Sequence, residues 1–279
     1  MGEAGLVLFS VLLQAAIGFS GALFIFRHRI LTHVNGNALT WTMFGIACTA
    51  GIGLMLAMTH MKYPLNAPYA MTNLTTSWLS REVILAPIFI GIIGYLFLIG
   101  ITKKSFNTNL LLVAVIIGVL DVISLANIYM ASYVATWNSM HSIATHVGGM
   151  FLLGASLMTV YLSRIPGCHE TIIRRLLGFI MLSLAVRAYT QLTLLVALEA
   201  NSGSQGIMFP WNSVDAFYNS IPILFLAWVF ACIGVVLSCV RLVRKKQQHI
   251  ESGWFTTLII GSFLLFELLA RTQFYMIHT

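Results

Sequence analysis

Eight apolar stretches, each about as long as a bilayer is thick, fill nearly all of this chain, and the connectors on one side hold nearly all its Lys and Arg. A hydrocarbon core about 30 Å thick needs roughly 20 helical residues to cross it. Stretches of that length run over residues 5–26, 39–60, 83–101, 110–134, 143–162, 172–198, 221–240 and 254–277. They are continuous apolar runs rather than the alternating segments of an outer-membrane barrel, which predicts helices. The fold class is therefore all-α: a polytopic integral membrane protein with eight transmembrane helices, in one domain over residues 1–279. Charged residues make up only 8% of the chain, against roughly a quarter in soluble domains. That deficit excludes a soluble enzyme.

The net charge of +7 would suggest nucleic acid in a soluble protein, but here the basic residues sit in connectors. Odd-numbered connectors carry Arg27 and Arg29, then Lys103 and Lys104, then Arg164, Arg174 and Arg175, then Arg241, Arg244, Lys245 and Lys246. The even-numbered ones carry only Lys62 and Arg81. The positive-inside rule then makes the odd connectors cytoplasmic and puts both termini outside. No nucleic-acid partner is implied; the lipid bilayer is the partner. The N-terminus lacks a basic n-region and a small-residue cleavage site, so the first span is expected to be retained. Cys48, Cys168, Cys232 and Cys239 show no C-x-x-C or ferredoxin-like spacing, so no iron–sulfur cluster or structural zinc is expected in this protein.

Charged groups at bilayer depth are costly and need a partner or a purpose. Asp121, Arg187 and Glu267 each lie about a dozen residues from a cytoplasmic helix end, near the midplane. Arg271 follows Glu267 by four positions, on the same helical face. Two acids and two bases sum to zero. The four read either as a neutral ion-pair network locking the fourth, sixth and eighth spans together, or as a proton path.

Two long connectors face outside, residues 61–81 and 199–220; they read as interfacial aromatic anchors or as docking surface. Across the first, His60 ends the second span and Glu82 opens the third. An imidazole and a carboxyl at a lipid–water boundary suit quinol oxidation, which releases two protons with two electrons and needs a base or hydrogen-bond acceptor. The bland alternatives are an interfacial His and a carboxylate favoured by the helix dipole. His141 and His146 start the fifth span and read as loop or interface histidines, with His60 plus one of them left open as a bis-histidine haem b pair. A secondary transporter is the rival of another class. Its broken midplane helices find little basis, since Pro87, early in the third span, is the only proline well within one.

The stretch His60-Met-Lys-Tyr-Pro64-Leu-Asn-Ala67, followed by Ser77-Trp-Leu-Ser80-Arg81-Glu82, resembles the membrane-anchor subunit of bacterial dimethyl sulfoxide reductase, within the polysulfide-reductase-like anchor superfamily. The closing Glu267-Leu-Leu-Ala-Arg271, with Phe274, Tyr275 and His278, is similar to that family's last helix. The resemblance implies an anchor in the bacterial inner membrane, in a complex of anaerobic respiration. That anchor would oxidise menaquinol at the outer face and hold no haem or metal of its own. It would pass electrons to an iron–sulfur subunit and on to a molybdopterin catalytic subunit that reduces dimethyl sulfoxide or a related S- or N-oxide. Both partners would sit on the outer face. By motif, His60, Arg81 and Glu82 fall at the quinol site, with Glu82 taking a proton and His60 hydrogen-bonding the other quinol oxygen.

Overall fold

The computed structural model describes residues 2–61, 63–134, 136–163, 165, 170–201, 213–244 and 253–276. Its helices are α1 (Gly2–Ile25), α2 (Arg27–His33), α3 (Gly36–His60), α4 (Trp78–Lys103), α5 (Thr108–Met130), α6 (Met140–Ser163), α7 (Glu170–Asn201), α8 (Ser213–Asn219), α9 (Ile221–Arg244) and α10 (Gly253–Met276). A 3₁₀ run, Pro64–Asn73, fills much of the loop between α3 and α4. Among the described residues eight helices are long and apolar enough to cross a membrane. They match the eight expected spans to within a few residues, except that α4 begins at Trp78 and α5 ends at Met130.

Polar caps set several boundaries. Asn35 accepts a hydrogen bond from the Asn37 amide, and Asn107 accepts from the amides of Asn109 and Leu110. At the far end of α4, Lys104 takes a left-handed conformation (φ 51°) that reverses the chain into α5. Arg27 and Arg29, expected in a plain connector, lie in the short helix α2, which buries Ile30 and leaves His28 and His33 at its surface.

α1 and α6 are the innermost helices. α1 packs on α3, α5, α6 and α10, while α4 pairs with α5, α6 with α7, and α9 with α10. Where α1 crosses α6, Gly18 and Gly154 meet backbone to backbone, and a Cβ on Gly18 would run into the Met150 carbonyl. Small residues let spanning helices approach this closely in lipid, where packing rather than water expulsion drives association. Outward faces are apolar: Ile52 and Met55 on α3, Leu182 and Val196 on α7 and Phe225 on α9 are all exposed. A soluble protein does not present such belts. Cys48 is half-buried, and Cys232 and Cys239 lie on the outward surface rather than in packing positions; Cys168 is outside the described residues.

Connectors alternate between a basic end, marked by Arg27, Lys103, Lys104, Arg174 and Arg175, and a loop end, where α3 stops and α4 begins. The second long connector contributes α8, whose Phe217 packs on Leu194 and Leu198 of α7. Its Pro210 and Trp211 lie outside the described residues, as do Lys62, Arg164, Lys245, Lys246 and His278.

Candidate functional site

At the loop end the start of α4 is shaped by Ser77, whose hydroxyl oxygen accepts from the Ser80 amide at 3.3 Å. The helix thus begins four residues before Glu82. Glu82 does not open the helix, as the sequence suggested; it sits in the second turn with its side chain turned inward, 6% exposed. No hydrogen bond or ion pair reaches its carboxyl among the described residues. Arg81 is committed elsewhere. Its guanidinium stacks over the Trp78 ring at 4.1 Å and donates to the Leu74 carbonyl at 2.9 Å and the Thr75 carbonyl at 2.7 Å. It ties the turn after the 3₁₀ run to the first turn of α4 and so shapes the rim beside Glu82. His60 is the last residue of α3, at this same end; its side chain is outside the described residues.

Deeper in the bundle Asp121 on α5 is fully buried, and neither carboxyl oxygen has a hydrogen-bond partner among the described residues. Glu82 is the charge within electrostatic range of it. This corrects one expectation: Asp121 does not belong to the midplane ion-pair network. The reason is the order of helices around the bundle. α5 packs on α4, α6 and α1, with Gly118, one turn from Asp121, close against Ile17 and Phe89. The arginines sit on α7 and α10, and α10 packs mainly on α9, α6 and α1, meeting α5 at the loop end, where Tyr129 touches Phe274 and Tyr275.

An aromatic cluster lies toward the loop end from Asp121. Tyr129 stacks on His146 with ring centroids 5.4 Å apart, and lies 5.0 Å from Trp137, 5.2 Å from Phe274 and 5.4 Å from Tyr275. The Trp137 indole N–H donates to the Phe274 carbonyl at 2.9 Å, pinning the loop before α6 to the end of α10. His146 donates through Nδ1 to the Ser142 carbonyl at 2.8 Å, leaving Nε2 buried without a partner among the described residues. His141 is bonded on both nitrogens, to Thr190 and Thr145 hydroxyls. Both histidines, read from sequence as loop or interface residues, are buried on α6: Met140 at its start is exposed, but His141 and His146 face the neighbouring helices. His169 and His249 lie outside the described residues.

Glu267 lies between two arginines. Its Oε2 accepts from Arg187 Nη1 and its Oε1 from Arg271 Nη2 at 2.8 Å, with Glu267 and Arg271 fully buried. Arg271 Nη2 also donates to Gln14 Oε1 at 2.7 Å and to the Thr145 carbonyl at 3.1 Å. The Arg187 guanidinium lies over the Phe266 ring at 4.7 Å. The cluster ties α1, α6, α7 and α10 together. A glycine pair makes room for it: a Cβ on Gly149 would sit 2.6 Å from Glu267 Oε1 and 2.7 Å from Gln14 Oε1, and one on Gly148 would sit 3.1 Å from Arg187 Cγ. Sequence reading passed over Gln14 and the Gly148-Gly149 pair. The signal was available, since Gln14 is the one amide side chain inside the first span.

The model of the DMSO reductase anchor subunit (DmsC) family matches residues 1–277. The chain belongs to that family. It is 29% identical over 143 residues to the C subunit of anaerobic dimethyl sulfoxide reductase from Haemophilus influenzae, covering 49% of this protein and 50% of that one. It is 23% identical over 284 residues to the YnfH subunit of an Escherichia coli anaerobic dimethyl sulfoxide reductase, covering 99% and 95%. To that organism's C subunit it is 30% identical over 151 residues, covering 52% and 51%. The matched stretch therefore spans about half the length of each C subunit and nearly all of YnfH. Eight spanning helices and membership of an anchor family make this a multi-span membrane protein. Of the DmsC-like motif residues, Glu82 enters the interior, Arg81 holds the rim, and Glu267 and Arg271 form the buried ion pairs.

Proposed function

We propose that this protein is the quinol-oxidising, haem-free anchor of a dimethyl sulfoxide reductase-type complex in the bacterial inner membrane, with both termini on the outer side. Menaquinol is oxidised at the loop end, and its two electrons pass to an iron–sulfur subunit docked there. A molybdopterin subunit beyond it reduces dimethyl sulfoxide or a related S- or N-oxide. Family membership and the names of the relatives support the assembly.

The observation that carries the quinol site is Glu82: a carboxyl one turn inside the loop end, almost fully buried and without a partner among the described residues. Such a group is expensive to leave bare in a low-dielectric interior. A quinol hydroxyl supplies the missing hydrogen bond and the proton that a base must remove as the electrons leave. Arg81 keeps the rim in place, and His60, at the end of α3, serves the second quinol oxygen. The bonds on both His141 nitrogens favour a positioning role over haem ligation.

The test is Glu82→Gln in the assembled complex. Quinol-driven reduction is expected to fall by at least about 100-fold, the scale of lost general-base catalysis. Reduction driven by an artificial dye that feeds the catalytic subunit directly is expected to be unchanged. A wild-type quinol rate in Glu82→Gln removes Glu82 from the role.

A further inference from the structure

We propose that the cavity between α6, α7, α9 and α10 binds one small monovalent anion of the size and charge of chloride. This is independent of the quinol reading. The cavity is lined by His141, Thr145, Arg187, Gln191, Trp228 and Gln273, with apolar Leu224, Phe266 and Ala270, and has room for about one water-sized occupant.

Charge is the first argument. Arg187 and Arg271 share the single carboxylate of Glu267, which leaves the cluster one positive charge in excess. The other acids at membrane depth, Glu82 and Asp121, make no ion pair with either guanidinium among the described residues. Buried charge in a bilayer is paired or lines a functional cavity, and Arg187 lines this one.

Hydrogen bonding is the second. The Trp228 indole, which can only donate, gives its N–H to Gln191 Oε1 at 2.8 Å. That fixes the amide orientation and leaves Gln191 Nε2, on a residue that lines the cavity, a buried donor without a partner among the described residues. Thr190 donates its hydroxyl to the Arg187 carbonyl, so its oxygen accepts from His141 Nδ1, and His141 Nε2 is bonded to Thr145. The histidine therefore offers the cavity no free acceptor. Arg271 Nε and Nη1 and Gln14 Nε2, outside the cavity lining, are further buried donors without partners among the described residues. The lining also carries two acceptors, Gln273 Oε1, whose Nε2 donates to Ser220, and Thr145 Oγ1, which gives its proton to His141, so it is the unbalanced positive charge at Arg187 that favours an anion over a water.

The test uses the protein purified with its native partners in nanodiscs. Bromide is titrated against gluconate at constant ionic strength while Tm is recorded, and crystals grown in bromide are examined for anomalous scattering. The expected result is a saturable upward shift of Tm in bromide but not gluconate, with an anomalous peak within hydrogen-bond distance of Gln191 Nε2. Gln191→Glu places a carboxylate in the cavity and is expected to fold and to abolish the bromide response; Gln191→Leu, which removes the donor, is expected to lose the peak. Equal Tm in the two salts, a bromide response retained in Gln191→Glu, or density without anomalous signal at the cavity would each overturn the proposal.

Discussion

Glu267→Gln tests whether the buried cluster is an ion-pair lock. The substitution keeps shape and volume but removes the one negative charge between two guanidiniums, all three groups at most 3% exposed. The amide oxygen can still accept from one arginine. Its nitrogen then faces the other, so one ion pair becomes a weaker bond from a charged donor to a neutral acceptor and the other becomes donor against donor. Removing one partner of a buried pair costs about 3–5 kcal/mol, because the remaining charge is stranded. A merely neutral interhelical hydrogen bond in a membrane protein is worth only about 0.6 kcal/mol on average. The two magnitudes separate the readings cleanly. The assay is reversible unfolding in mixed micelles followed by helical circular dichroism, on wild type, Glu267→Gln, Arg187→Gln and the double variant. Since the double variant no longer strands the Arg187 charge, it is expected to cost less than the sum of the singles, with a coupling of about 1.5–3 kcal/mol. A Glu267→Gln cost below about 1 kcal/mol, or strict additivity, would refute the lock.

Two further outcomes follow from particular contacts. Gly149→Ala drives a methyl against Glu267 Oε1 and Gln14 Oε1 and is expected to cost about 1–3 kcal/mol in the same unfolding assay, whereas Gly45→Ala, with open space around it, is expected to be neutral or slightly stabilising; equal behaviour of the two would mean the cluster can shift freely. Arg81→Lys cannot reproduce a fork that reaches two carbonyls while stacking on Trp78, so amide exchange in residues 63–77 is expected to speed up by about 5–10-fold, corresponding to roughly 1 kcal/mol, and unchanged exchange would show that the rim does not depend on Arg81.

The architecture was legible in the sequence because lipid imposes a one-dimensional rule: each span must be helical, apolar and about twenty residues long. Boundaries followed less closely where polar residues decide them. Val83 looked like the first residue of a span by apolarity, yet Ser77 caps the helix five residues before Glu82, and that shift turns Glu82 from a rim carboxylate into an interior one. Depth was equally legible, which is why Asp121, Arg187, Glu267 and Arg271 stood out. Their grouping was not, since depth along a helix says nothing about which face meets which neighbour. Net neutrality across four residues concealed an unpaired acid on α5 and an unbalanced pair of bases on α7 and α10. His141 and His146 were misplaced for a related reason: a span that opens with Met140-His141-Ser142 reads as polar, and only packing shows that His141 is bonded on both nitrogens and His146 on one.

The division of polar groups along the membrane normal bears on what turnover moves. Toward the basic end from Asp121, the buried positions are Gly118, Ala114 and Leu111 on α5, and Phe89, Ile93 and Leu96 on α4, facing Ile17 and Leu23 of α1. Toward the basic end from Arg187 come Leu184, Ile180 and Leu177 on α7 and Phe263 and Ile259 on α10. Of the buried hydroxyls at this level, Ser20 turns back to Ala16, Ser156 to Leu152, Thr159 to Ala155 and Ser262 to Leu258, while Ser183 donates across to the Gly148 carbonyl of α6. About ten residues of apolar packing, roughly 15 Å of helix, thus separate the acidic pair from the basic end among the described residues. Beyond Asp121, a proton taken by Glu82 meets apolar packing toward the basic end, whereas polar groups lie toward the loop end. Under the proposed quinol reading, protons released there and consumed by reduction on the same side move no net charge across the membrane, so such a complex would draw its energy from the quinol without adding to the proton gradient.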